Sequence, residues 1–259
     1  MDSAWSFYDK LIEGVDSTLI VDHFSLGVGW TEVWAGPYTG VAMTIKERGP
    51  VRLNTGIIEG KTLKDVSALI KSWDFLEASL GAAALNCFYN SIEKVTELGG
   101  LQDIDLKNLV PETRRKKNAF IAFQNQVENK KVLCIGHFPH IEKQLAGRCE
   151  LKILERNPRK GDYPDSACEY LIPEQDFCFI TGMTLTNKTL PRLLALAGKN
   201  VKVSIVGPSI CLAPQLLDMG ADNLSGFCVI DRKKMDEVVR YADKCEIFDA
   251  GVMVSIGER

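Results

Sequence analysis

Five short runs in the second half of the chain constrain the fold most: "KVLCIG" (131–136), "CELKILER" (149–156), "DFCFITG" (176–182), "VKVSIVG" (201–207) and "LSGFCVI" (224–230). Each is continuously apolar at its centre, and three run straight into glycine. A strand with one wet face alternates apolar and polar residues, whereas a strand buried on both faces does not. Helix-like segments at 139–146, 190–197, 212–218 and 233–241 separate the runs, and "CEIFD" (245–249) reads as one more strand. Strands alternating with helices predict a Rossmann-like, mostly parallel sheet with helices on both faces.

The first part of the chain has a different pattern. "SAWSFYDKLIEGV" spaces Trp5, Tyr8, Leu11 and Ile12 as a helix, with Ser3 as N-cap and Gly14 as stop. The β-like stretches "STLIVDHFSLGVGWTEVW" (17–34) and "GVAMTIKE" (40–47) follow, separated by the turn-rich "AGPYTG". Helices are expected near 62–73 and 75–90, the second starting after Asp74. This is an α+β pattern, so the chain divides into a smaller domain over 1–110 and the Rossmann-like domain over 111–259. A helix, "PETRRKKNAFIAFQNQVEN" (111–129), opens the second domain.

Several function classes are disfavoured by composition. The 259 residues carry a formal net charge of −3, which gives no general attraction to nucleic acid or to an anionic membrane. The one basic run, "RRKK" at 114–117, reads as the solvated face of the linking helix. No apolar run approaches the roughly 20 residues of a membrane span. "MDSAWSFYDKLIEGV" carries Asp2 and Asp9 where a signal peptide would be basic, so a cytoplasmic location is expected. A homo-oligomer stays open. Eight cysteines are present without one Cys-x-x-Cys pair. Cys134, Cys178 and Cys228 lie inside the apolar runs and read as reduced core residues, apart from one another.

Ligands of an open parallel sheet bind beyond the carboxyl ends of its strands. Those ends read "GHFPH" (136–140), "ERNP" (155–158), "TGMTLTNKT" (181–189) and "GPS" (207–209). Gly136 permits a tight turn, and Pro139 suits the first turn of a helix. Phe138 occupies the place where a dinucleotide pyrophosphate needs close backbone approach, so the usual glycine fingerprint is absent. Glu155 stands 19 residues after Gly136, about where a Rossmann acid meets a ribose hydroxyl; the plainer reading is a surface acid paired with Arg156 or Arg159. His137 and His140 offer imidazole ligands for a metal. Thr181, Thr184 and Asn187 offer hydroxyl and amide donors, with Thr189 the expected cap of the helix at Leu190. Ser209 has no nucleophile elbow around it. In the first domain, Asn86 and Asn90 share one face of an apolar helix and need partners, in the backbone or in a cleft. "GVGWTEVW" (27–34), with Glu32, reads as a loop over a ligand or as a hairpin corner.

"GHFP", "TGMTLTNKTL", "GPSICLAP" and "GADNLSGFCVID" resemble the C-terminal domain of a prokaryotic family named for heavy-metal chelation. "GVGWTEVW" and "GAAALN" resemble its companion N-terminal domain, and the motif order agrees along nearly the whole chain. The resemblance implies an N-terminal domain like that of enolase, a Rossmann-like C-terminal domain and a site between them. It also implies a role in handling heavy metals or a metal-binding small molecule. Carried over by residue, its motifs point to Gly136, His137, Pro139, Thr181, Gly182, Thr184, Asn187, Gly207, Pro208, Ser209 and Asn86, and assign no chemistry to them.

Two readings remain. In one, the chain binds a small molecule, a divalent or heavy metal, or a metal complex between the domains, with His137 and His140 as ligands. In the other, it is an enzyme using a nucleotide-type cofactor, for example S-adenosylmethionine, with Glu155 at the ribose. Both predict that the loops 136–140, 181–189 and 207–209 converge.

Overall fold

The computed structural model describes residues 5–54, 56–102, 104–110, 113–114, 118–145, 147–242 and 246–257. Ser3, Cys245, the start of the linking helix at Pro111 and most of "RRKK" lie outside the described residues. Two sheets organise the rest. Strands β1 (Val21–Leu26), β2 (Trp30–Ala35) and β3 (Tyr38–Met43) form an antiparallel sheet in that order. The larger sheet contains β4 (Lys131–Ile135), β5 (Glu150–Glu155), β6 (Tyr163–Pro164), β7 (Phe177–Thr181), β8 (Lys202–Val206), β9 (Asn223–Val229) and β10 (Gly251–Gly257). Its order is β10-β9-β8-β7-β4-β5-β6, parallel except for the β9–β10 pair.

The apolar runs of β4, β7, β8 and β9 are buried on both faces, as their lack of alternation demands, whereas in β5, beside the two-residue edge strand β6, Glu150 is exposed and Leu151, Lys152 and Glu155 are only half-buried. Leu133 and Ile135 of β4, with Cys178 and Ile180 of β7, point into one core. Val132 and Cys134, with Phe177 and Phe179, point into another, where Phe120, Phe123 and Phe138 pack. Cys134 and Cys178 therefore sit on opposite faces of the sheet, and both are buried, as is Cys228.

The first of these cores does not stop at the domain boundary. It also holds Tyr8, Leu11, Val33 and most of the helix Phe75–Tyr89. That helix begins at Asp74, which accepts hydrogen bonds from Leu76 N (3.1 Å) and Glu77 N (3.3 Å). It packs one face of the small sheet, and the helix Arg232–Tyr241 packs against β1 and β2 as well. Asn86 Nδ2 donates to Val41 O (2.7 Å) and Pro208 O (3.2 Å). Asn90 Nδ2 donates to Ile210 O and Phe227 O, and its Oδ1 accepts Leu212 N. The two amides thus find their partners in backbone, mostly that of the other domain. No helix among the described residues is long and apolar enough to cross a membrane.

Three expectations are corrected. Within 118–129 the helix is only Ala119–Ala122, and Asn118 starts it by accepting from Phe120 N. Residues Ile247–Asp249 form a 3-10 turn rather than a strand. The last strand is β10, which begins where Gly251 closes on β9: a Cβ there would lie 2.2 Å from Cys228 O. Thr189 stands at the start of helix Leu190–Ala197 without capping it. Its hydroxyl donates to Asn187 Oδ1 instead.

Candidate functional site

The chain crosses from β4 to β5 on one side and returns to β7 on the other. The crevice of such a sheet opens where the order reverses, here between the ends of β4 and β7. Gly136, at φ +100°, turns the chain there, and a Cβ on it would meet Thr181 Cγ2 at 3.0 Å. A Cβ on Gly207 (φ +114°) would meet Phe138 Cε1 at 3.8 Å. A Cβ on Gly182 would meet Ile210 N at 2.6 Å. The ends of the three loops are thus neighbours. The loop after β8 also touches the first domain, since Ser209 Oγ accepts Met43 N at 2.9 Å.

Most polar groups in these loops are spent on the fold. Thr184 Oγ1 donates to Thr181 O, and Asn187 Oδ1 accepts from Thr189 N and Oγ1. Glu155 accepts from His137 N (2.8 Å), Arg156 N (2.7 Å) and Asn157 N (3.2 Å), tying the β4 and β5 loops together. The Phe138 ring leans over Gly136 and Gly207 and packs on Phe120 with ring centroids 5.0 Å apart. That ring takes the space a pyrophosphate would need. Asn86 Oδ1 is buried with no hydrogen-bond partner.

His137 is the most heavily engaged group at the crevice. Its Nδ1 lies 2.9 Å from Asp162 Oδ2, and its Nε2 lies 3.0 Å from Glu142 Oε1. Asp162 also accepts Arg159 N and is 4% exposed at the side chain. Burial works to raise its carboxyl, but the bonds from Arg159 N–H and His137 outweigh this and hold it below the usual carboxylate value. Glu142 is 56% exposed and, with Asp162, Lys152, Lys160 and Tyr163, lines a shallow depression of about 480 Å³. Pro139 and His140 are exposed, and His140 has φ +62°. Sequence reasoning found His137 but neither of its carboxylate partners: Asp162 comes from the segment between β5 and β6, and Glu142, five residues on in the helix Ile141–Leu145, belongs to no spaced motif.

The thiols offer little to a soft metal. Burial pushes Cys87, Cys178, Cys211 and Cys228 up to about 12 and Cys134 well above its usual value, so all five stay protonated at neutral pH. Among the described residues, three metal-type donor atoms all within 4.8 Å of one another occur in one group only, His23, Glu32 and Asp236; the two carboxylates at His137 stand on opposite ring nitrogens. Glu32 is buried in the β1–β2 hairpin, so "GVGWTEVW" is a hairpin corner.

This is a two-sheet α/β protein with a doubly wound sheet joined through a shared core to a small antiparallel sheet. It belongs to the family described as "Putative heavy-metal chelation" (DUF364), whose profile matches residues 118–256. Residues 8–89 match a second profile (DUF4213) with the same description. A DUF364-family protein of unknown function from Desulfitobacterium hafniense has a similar crystal structure, with TM-score 0.86 and 35% identity over 98% of this chain and 99% of that one. A second, from Pyrococcus horikoshii, superposes with TM-score 0.72 at 23% identity, again over 98% and 99%. An uncharacterized protein of Methanocaldococcus jannaschii is 27% identical over 220 residues, covering 81% of this chain and 77% of that protein.

Proposed function

We propose that the protein binds a divalent metal or a small metal complex at the carboxyl edge of the larger sheet, where the β4 and β5 ends meet, with His137 as the principal ligand. The observation that carries this is the line Asp162–His137–Glu142. A metal-bound histidine commonly donates its second ring N–H to a carboxylate, which fixes the tautomer and the ring. Asp162 is placed to do that at Nδ1. Nε2 then faces outward to Glu142 Oε1 at 3.0 Å. Two ligands at roughly 2.1 Å from a metal and at a right angle lie about 3 Å apart, so this pair fits adjacent coordination positions. His140, in the same exposed turn, is the nearest further imidazole in sequence. The crevice residues Gly136, Phe138, Pro139, Thr181, Gly182, Gly207 and Pro208 would shape the pocket for a bound complex.

The nucleotide reading has less support. Three backbone N–H groups already use Glu155, and Phe138 covers the glycines.

Calorimetric titration of the chelator-treated chain with Zn²⁺ and Co²⁺ tests the metal reading. His137→Gln should remove one binding event, and Asp162→Asn should weaken it by about 10–100-fold, as loss of an outer-shell partner does. Glu142→Gln should weaken it as well. Unchanged binding in all three variants would sink the proposal.

A further inference from the structure

Glu32 is buried, and Arg240, whose charge acts on it, is bonded to Asp236 rather than to Glu32. It lies on β2 opposite Ser25 of β1, on the same sheet face as the His23–Trp34 pair. Glu32 is 0% exposed. Its Oε2 accepts Trp34 Nε1 at 3.0 Å, while Oε1 is buried and has no hydrogen-bond partner. The helix Arg232–Tyr241 packs against β1 and β2. From that helix the Asp236 carboxylate faces Glu32. One donor atom each from His23, Glu32 and Asp236 lies within 4.8 Å of the other two.

We propose that His23, Glu32 and Asp236 bind one divalent first-row cation of the Zn²⁺ or Co²⁺ type, at a site separate from His137, pinning the C-terminal helix to the small sheet. Two facing carboxylates in a dry place repel unless a proton or a cation lies between them. Arg240 Nε bonds Asp236 Oδ1 at 2.7 Å; its charge also acts on Glu32, as the smallest of the influences there, and among the described residues no cation bonds the buried Oε1.

The ligands are already oriented. Ser25 Oγ lies 3.1 Å from His23 Nε2 and can accept from it, leaving Nδ1 free. The His23 ring packs on Trp34 at 4.6 Å, Trp34 holds Glu32 and Arg240 holds Asp236. Such outer contacts are what a metal site needs to fix its ligands. One imidazole and two carboxylates suit a borderline divalent cation. They lack the thiolates that soft metals prefer, and hard Mg²⁺ or Ca²⁺ sites favour all-oxygen ligands. Three protein ligands leave a position open for water or for a donor atom of a ligand. His23 and Asp236 are part-exposed, which provides a way in. The inference does not depend on the His137 reading.

The experiment uses the full chain, stripped with chelator and titrated with Co²⁺ and Zn²⁺. Glu32→Gln and Asp236→Asn, both close in shape to the native residues, and His23→Ala should each weaken one binding event at least tenfold. His137→Gln should leave that event intact. Zn²⁺ should raise the Tm of the native protein and leave that of Glu32→Gln unmoved. Should a variant fail to fold, the native protein still decides: with only three histidines in the chain, paramagnetic broadening of each ring by one equivalent of Co²⁺ is assignable. Broadening of the His23 ring supports the site. An unperturbed His23 ring, or variants that bind like the native chain, overturns it, and the carboxylate pair then holds a proton.

Discussion

Glu32 shows how one side chain can carry a cost that a local reading would not assign to it. Burial raises its carboxyl most, the Trp34 N–H pulls back, the facing Asp236 adds to the rise and the Arg240 charge offsets a little of it, leaving it at about 7. In metal-free protein the folded state therefore keeps a proton between about 4.5 and 7 that the unfolded chain has released. Native stability should fall as pH rises through that window and then level off. Glu32→Gln removes this dependence. With chelator present, the variant should be more stable than the native chain by on the order of 1–3 kcal/mol at pH 8, and the gain should shrink towards pH 5. Urea unfolding at the two pH values measures this, and an equal difference at both would rule it out. The pairing of Glu32 with Asp236 was invisible in sequence, since 204 positions separate them and neither belongs to a spaced motif. His137 was visible, because glycine at a strand end marks the turn that holds it.

The helix Phe75–Tyr89 lies between two packed surfaces and has almost no wet face: Ala78 through Cys87 are all buried. Small residues make this approach possible. A Cβ on Gly40 of β3 would stand 2.0 Å from Cys87 N and 2.2 Å from Ala83 O, both backbone atoms that cannot swing aside. Gly40→Ala must therefore push the helix off the sheet. A loss of about 3 kcal/mol or more is expected, the upper end of overpacking. Gly29→Ala is the control, because nothing lies within 4 Å of its Cβ position, and it should change stability by less than about 0.5 kcal/mol. Chemical denaturation of the two variants compares them directly, and similar midpoints would refute the packing argument. That this segment is a helix was legible from its composition and from Asp74 ahead of it. Its closeness to β3 was not, because an alanine-rich helix is compatible with many partners.

The two profile-matched segments, 8–89 and 118–256, suggest two separable units, yet one core runs through both. Tyr8 OH donates to Leu185 O, Asn90 bonds three backbone groups around Ile210, Leu212 and Phe227, and Arg232 bonds Thr39, Gly36 and Tyr38. The chain should thus unfold in one cooperative transition, with fluorescence and circular dichroism coincident. Asn90→Ala leaves three buried backbone groups short of a partner, at roughly 1–3 kcal/mol each, and should lower stability by at least about 3 kcal/mol. A fragment spanning 118–257 would lose the first-domain partners of Leu185, Ile210, Leu212 and Phe227 and should bind a hydrophobic dye without a sharp thermal transition. A fragment that melts sharply would show that the halves are independent.

The order of strands and helices, the burial of β4, β7 and β8 on both faces and the placing of polar loops at their carboxyl ends all follow from local pattern. Apolar periodicity records which side of a backbone meets solvent, and glycine records where it turns, so both survive in a single chain read from end to end. The three-dimensional packing set the rest: the turn at Ile247–Asp249 with strand β10 after it, Asp162 and Glu142 around His137, and the burial of Glu32 under a helix from the far end of the chain. Whether a charged side chain is desolvated depends on which distant surface covers it. No local spacing encodes that, because the covering residues are selected by shape and charge across the assembled core.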